Sequence, residues 1–387
     1  MKSIVSGSLI LSFLLALFPS AEALGAMALM EERAGQKAAY YREIIMRDVP
    51  ECTWDADTQT SHTTALYDPS GNVNGYIYEY VNGEGPAGFL QIDVSMGEPV
   101  LDSYTFGDEH CAARELRNLP AAISGETDTE KLVYLGGYAY CLLGETDEEG
   151  NTEVYDVLHH TETAFDRPAA VKAYEEDVAA KRQMRAEEAA TRSSTMSTRG
   201  ANTITKFVQG YTGGMNFATY SNTGDPGNGC TILAAVNSCM YWTKCRGKTG
   251  LFTSVPATYN AIKPYISMEN QYGTSCSKSY DGYRNYLRSK GFEITIYGKI
   301  FYANWSWSAM KEVIDKNVPL TMTELLGYNG LNEITHANVI FGYQYIDIVN
   351  TVMIADGRTN TLVYKSFSSL KHATYSTMFS YYAGRWS

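Results

Sequence analysis

The sequence predicts an α+β protein in two parts, and three observations predict it. Runs rich in Tyr, Ile, Val and Phe, bounded by turn residues, read as strands and alternate with Ala-rich helical runs. A polar stretch from Arg192 to Gly200 interrupts both patterns and reads as an exposed linker. Charge divides at the same place. Residues 24–203 carry 14 Lys and Arg against 32 Asp and Glu, a net of −18, while residues 204–387 carry 16 against 10, a net of +6.

The elements follow in chain order. Met1-Lys2, an apolar core from Leu9 to Phe18 and the small-x-small sequence Ala21-Glu22-Ala23 have the layout of a cleavable secretory signal over 1–23. The apolar run is too short to span a bilayer comfortably, so the expectation is a soluble, secreted protein with no stable membrane anchor. Residues 24–165 read as a small α+β domain, with strands at Asn74–Tyr80 and Gly88–Val94 and a turn at Asp68-Pro69-Ser70-Gly71-Asn72. Residues 166–203 follow as a charged Ala-rich helix, about Ala169 to Thr191, and then the Ser/Thr linker. An acidic domain ahead of a basic one is suited to fold against it, with opposite fields aiding docking. The same acidity also keeps an exported protein soluble. Overall acidity, without a dense basic stripe interleaved with aromatics, argues against nucleic acid as a partner.

Residues 204–387 carry the chemistry. Cys230 lies where the Gly-rich loop Thr223–Gly229 turns into the apolar helical run Thr231–Trp242. Amides of a first helical turn lack intrahelical acceptors and the helix dipole is positive there, so a thiol at that point ionises more readily than a free one. A β-pattern segment begins with His336 and runs to Tyr343, and a second, from about Thr351, ends in Ala355-Asp356-Gly357. If the two pair antiparallel about a midpoint near Ile346, His336 and Asp356 stand opposite one another. A carboxylate there holds one ring nitrogen and leaves the other for the thiol, the arrangement of nucleophile, base and orienting group. Singly, a helical cysteine, a strand-end histidine and an Asp-Gly turn are ordinary structural residues. Their conjunction, in the order Cys230, His336, Asp356, points to catalysis.

The string His336-Ala337-Asn338-Val339-Ile340-Phe341-Gly342-Tyr343, together with Asn228-Gly229-Cys230-Thr231, resembles the histidine strand and nucleophile helix of the papain-like cysteine peptidases. The segment Trp307-Ser308-Ala309-Met310-Lys311-Glu312-Val313-Ile314-Asp315-Lys316-Asn317-Val318-Pro319 is similar to one found in the branches typified by bacteriocin-processing peptidases and streptopain. An aspartate as third member, as at Asp356, resembles the bacteriocin-processing type. The resemblance covers about Met215 to Ser387. It implies a nucleophile helix packed on an antiparallel sheet, hydrolysis of peptide bonds in protein or peptide substrates, and no cofactor. The strands ahead of the linker resemble a streptopain propeptide, which implies a zymogen whose acidic N-terminal domain is its own inhibitor. One part departs from the family: no Gln lies between Tyr211 and Cys230 to serve the oxyanion hole. Asn222, then Asn216 or Asn228, are the amides available, together with the Cys230 backbone N–H.

The interval from Cys230 to His336 is 106 residues and from His336 to Asp356 is 20. Transglutaminase-like and cell-wall amidase domains share such a triad, usually with a much shorter first interval. The alternatives are a cell-wall amidase or acyltransferase using these residues, or a non-catalytic secreted adhesin on the same fold. Seven cysteines, three before the linker and four after, leave at least one thiol unpaired, and complete pairing of the other six needs a bond between the two parts. At least two of those are therefore expected to stay reduced. Cys239 and Cys245 have no histidine pair nearby and His159-His160 are adjacent, so no zinc spacing is present. No Gly-rich nucleotide loop stands in the required strand-to-helix context.

Overall fold

The computed structural model describes residues 21–83, 85–107, 111–119, 131–137, 139–158, 160–195, 204–223, 229–266, 276–296, 306–329, 332–370, 377–379 and 381–385. The apolar core of the predicted signal, His159, the linker residues 196–203 and the loop 224–228 with Asn228 lie outside them. The described residues form a mixed α and β structure with seven helices and a large, mostly antiparallel sheet.

The N-terminal half opens with helix α1 (Ala21–Asp48) and continues through β1 (Gln59–Tyr67), β2 (Val73–Asn82), β3 (Gly85–Asp93) and β4 (Val100–Phe106). Helix α2 (Ala112–Arg117), strands β5 (Leu132–Tyr134), β6 (Tyr140–Thr146), β7 (Asn151–Asp156) and β8 (Thr161–Asp166), and the long helix α3 (Arg167–Thr195) complete it. The predicted strands and the Asp68 turn are all present. Asp68 caps its own turn by accepting from the amides of Ser70 and Asn72 at 2.8 and 2.9 Å, and Gly71 takes the left-handed φ of 90°. Buried Ala34, Ala38, Tyr41 and Ile45 recur at helical spacing and make the stripe by which α1 packs on the sheet. Helix α3 runs further than the sequence suggests, to Thr195, so the linker does not begin at Arg192. Adding a residue to an existing helix costs far less than starting one, and the Ala-rich run carries the next four residues with it.

The C-terminal half contains β9 (Ile204–Phe207), a 3-10 turn (Tyr220–Asn222), α4 (Cys230–Lys244), α5 (Val255–Ile262), α6 (Cys276–Ser289) and β10 (Phe292–Ile296). Then come α7 (Trp307–Asp315), β11 (Leu320–Asn329), β12 (Asn332–Ile346), β13 (Val349–Ala355), β14 (Val363–Ser366), β15 (Thr377–Phe379) and β16 (Tyr381–Arg385). The main sheet runs β15-β11-β12-β13-β14-β4-β3-β2-β1-β5-β6-β7-β8, with β9 also on β12 and β10–β16 as a separate pair. Only β1–β5 is parallel among these pairs. The two halves therefore share one sheet. It is closed by β14 against β4, with Tyr364 opposite Tyr104 and Lys365 opposite Ser103. One apolar cluster likewise joins Tyr41, Ile45 and Leu90 to Leu233, Trp242 and Phe341, while a second, around Leu66, Ile77, Phe89 and Leu132, belongs to the N-terminal half alone.

The β12–β13 hairpin forms, with a different register from the one the sequence suggests. Strand β12 begins four residues before His336, and the turn is only Asp347-Ile348, with Asp347 at φ 52°. Gln344 and Asn350, read as loop residues for their polarity, sit in the ladder; Gln344 is fully buried and its amide donates to the Tyr104 hydroxyl of β4. Ile346 pairs with Val349 and, past a bulge between Ile340 and Gly342, Val339 pairs with Ala355. Asp356, the next residue, falls level with Asn338 rather than His336. The displacement is two residues, and side chains alternate with period two, so the carboxylate remains on the face of β12 that carries His336 and Asn338.

Candidate functional site

Helix α4 is buried on every side: each residue from Cys230 to Trp242 is inside. Its start is fixed by packing rather than by a capping side chain. Gly229 is the cap residue, and a Cβ there would run into the ring and hydroxyl of Tyr259. Only glycine fits, so the helix begins at the cysteine, and the Cys230 amide belongs to the first turn, where backbone donors lack helical acceptors.

The chain leading to α4 is clamped between that helix and the loop after β13. Asn237, fully buried on α4, accepts from the Ala218 amide at 2.7 Å and donates to the Ala218 carbonyl at 3.2 Å. On the other side, the Phe217 amide donates to the Asn360 carbonyl at 2.8 Å and the Tyr220 amide to the Gly357 carbonyl at 2.9 Å. Gly357 has φ 78°, and a Cβ on it would come within 2.6 Å of Leu233 Cδ2, one turn along from Cys230. The loop carrying Asp356 thus lies directly on the first turns of α4. Within that loop Asp356 Oδ1 accepts from the amides of Arg358 and Thr359, at 2.9 and 3.0 Å, and from the Thr359 hydroxyl at 3.2 Å.

His336 stands on β12, opposite Glu324 of β11. The far end of β12 is propped by α7, where Trp307 Nε1 donates to the Tyr345 hydroxyl at 3.2 Å and the Tyr343 hydroxyl donates to Asp315 at 2.8 Å. The segment Trp307–Pro319 therefore acts as a brace for the histidine strand. Its cap is the Ser306 hydroxyl, accepting from the Ala309 amide at 3.2 Å.

The arrangement is closed to solvent. Cys230 is 7 % exposed, His336 1 % and Asp356 3 %. Asp356 and Arg358, with Val363 and Lys365, face Phe89, Ser103 and Tyr140 of the N-terminal half across a cavity of about 20 Å³, room for one water.

Tyr220 was not singled out by the sequence. It is half-buried, and burial, followed by the proximity of Cys230, pushes its pKa well above the ordinary tyrosine value, with Arg358 opposing and Asp356 and Tyr259 adding to the rise. Of the predicted oxyanion amides, Asn222 is exposed and its Oδ1 accepts from the Thr219 amide at 2.9 Å in a capping box, and Asn216 is exposed as well. Gln209 is far from Cys230: its carbonyl accepts from the hydroxyl of Tyr241 at 2.9 Å, and Tyr241 lies eleven residues along α4, ~16 Å at the helical rise. Asn338, level with Asp356, is wholly buried with neither amide atom hydrogen-bonded among the described residues.

Burial pushes Cys111 and Cys239 up to about 12 and Cys52 up to about 11, so they stay protonated at neutral pH, and no disulfide joins Cys52, Cys111, Cys239 or Cys245. Among the described residues no group of three or more His, Cys, Asp and Glu side chains is placed to hold a metal ion, and no helix is long and apolar enough to cross a membrane. No protein-family model matches the chain, and no curated protein matches it.

Proposed function

We propose that this chain is an exported, papain-like cysteine peptidase, made as a zymogen whose N-terminal half covers the site. The observation that carries the reading is the clamp between α4 and the β13 loop. It brings the helix start bearing Cys230 and the loop bearing Asp356 to one residue, Tyr220, while β13 is hydrogen-bonded to the strand of His336. The near-complete burial of Cys230, His336 and Asp356 supports latency.

In this mechanism the Cys230 thiol gives its proton to His336, and the sulfur attacks the scissile carbonyl carbon, forming a C–S bond while the carbonyl electrons move to oxygen. The Cys230 backbone N–H, in the first turn of α4, faces that oxyanion. Collapse of the intermediate breaks the C–N bond, and the leaving amine takes the proton from His336. Water, deprotonated by His336, then cleaves the thioester and restores the thiol. Asp356 orients and stabilises the imidazolium.

The test is turnover of a mixed peptide library by protein processed in the linker, with peptidoglycan release measured in parallel. Parent protein should cleave peptides, and Cys230→Ala and His336→Ala should not. Normal peptide turnover by Cys230→Ala overturns the assignment, and release of peptidoglycan alone moves the reading to a cell-wall amidase.

A further inference from the structure

We propose that the Tyr220 hydroxyl is the second oxyanion donor of this site, in the place that the missing glutamine leaves open. The inference rests on the peptidase reading. Its geometry comes from the clamp: the Tyr220 amide is held to the Gly357 carbonyl at 2.9 Å, and the ring lies against Gly357, 3.7 Å from where a Cβ would stand. Gly357 in turn rests on Leu233 in the first turns of α4. Tyr220 is therefore fixed, backbone and ring, against the loop that rests on the first turns of α4. Among the described residues its hydroxyl makes no hydrogen bond, so the proton is available to a substrate oxygen. The neighbouring Asn222 is exposed, with its Oδ1 held by the Thr219 amide in its capping box.

The chemistry suits a phenol. Burial and the nearby Cys230 and Asp356 keep Tyr220 protonated well beyond the ordinary range, so it acts as a neutral donor throughout the working pH range of a thiol enzyme. It donates a hydrogen bond to the oxygen as negative charge develops there and keeps its proton when the intermediate collapses. No proton is transferred, and the balance of the acylation step is unchanged.

Tyr220→Phe in the processed full chain tests this, because it removes one oxygen and keeps the ring. Turnover should fall by about a hundredfold, with KM within about twofold, as for loss of one oxyanion donor. Alkylation of Cys230 by iodoacetamide should proceed at the parental rate, since displacement of iodide develops no oxyanion. A purely structural tyrosine would slow both reactions together, and that result overturns the proposal. Parental turnover by Tyr220→Phe overturns it too, as does a hundredfold loss in Asn222→Ala with none in Tyr220→Phe. Failure of the underlying peptidase reading is separate, because Cys230→Ala would then retain turnover whatever Tyr220 does.

Discussion

The strand pair that joins the two halves has one aromatic face and one ionic face. On the first, Tyr104 of β4 stacks on Tyr364 of β14 at 4.5 Å and 11°, with Phe106 and Trp54 packed around them and Glu51 on the Tyr364 hydroxyl. On the second, Lys365 of β14 lies 3.8 Å from Asp102 of β4, and both side chains are almost wholly buried. Asp102 is the extra residue of a bulge between β3 and β4, which turns it as well as Ser103 toward this face. Behind it, Arg185 of α3 reaches Asp93 at 3.7 Å and donates to the Ser368 hydroxyl of the C-terminal half at 3.1 Å. The difference separates two kinds of attachment. Aromatic burial holds the halves together under most conditions, whereas a buried ion pair contributes little net stability while intact and costs a great deal when one partner is lost.

Breaking the ionic face from one side should have the largest effect. Lys365→Met removes the cation paired with Asp102, leaving the carboxylate only the Tyr134 hydroxyl at 3.1 Å and the field of Lys181, and unfolding by urea should show a loss of about 3 kcal/mol, most of it recovered in Lys365→Met with Asp102→Leu. A double variant no more stable than the single one would show that the pair is not the cause.

Acid should act on the same face next. Burial alone would raise Asp93, but Lys181 and Arg185 outweigh it and hold the carboxyl below its usual range. A folded pKa below the unfolded one means the stabilisation is present at neutral pH and is lost as pH falls through about 4 toward the lower folded value. Protection factors in α3, with the intrinsic pH dependence of amide exchange divided out, should therefore fall between pH 5 and pH 3 and stay level between pH 6 and pH 8.

The aromatic face gives a smaller change. Tyr104→Leu compared with Tyr104→Phe, both of which lack the hydroxyl that Gln344 uses, loses only the stack, for about 1 kcal/mol beyond the area term, readable as a shift of the urea midpoint. Salt should do least. Opposite net charges suggest screening of the contact between halves, but the Lys365 and Asp102 side chains are 2 % and 0 % exposed. Raising NaCl to about 0.5 M should leave stability nearly unchanged, since buried pairs are little screened.

What was legible in the sequence follows the same divide between local and distant causes. The start of α4 at Cys230 was legible because Gly229 and the apolar run are adjacent in the chain. The Asp68 turn, the strands of the N-terminal half and the β12–β13 pair were legible for the same reason. The register of that hairpin was not, because Gln344 looks like a loop residue until Tyr104, 240 residues away, supplies its partner. Tyr220 carried no signal either. Its position depends on Asn237 and Gly357 meeting the lead-in chain from opposite sides, contacts no local pattern encodes. The β4–β14 pairing is likewise a long-range event, and it is what makes one sheet of two expected parts.

The most direct measurement is site-resolved labelling of the full chain and of chain processed in the linker, using a peptidyl thiol-directed electrophile and mass spectrometry. One label per molecule is expected, on Cys230, acquired quickly once the N-terminal half has been cleaved and displaced and slowly before, with Cys111 and Cys239 unmodified throughout. Labelling of Cys52 or Cys245 in preference to Cys230, or a Cys230 that stays inert after the cover is gone, would contradict it.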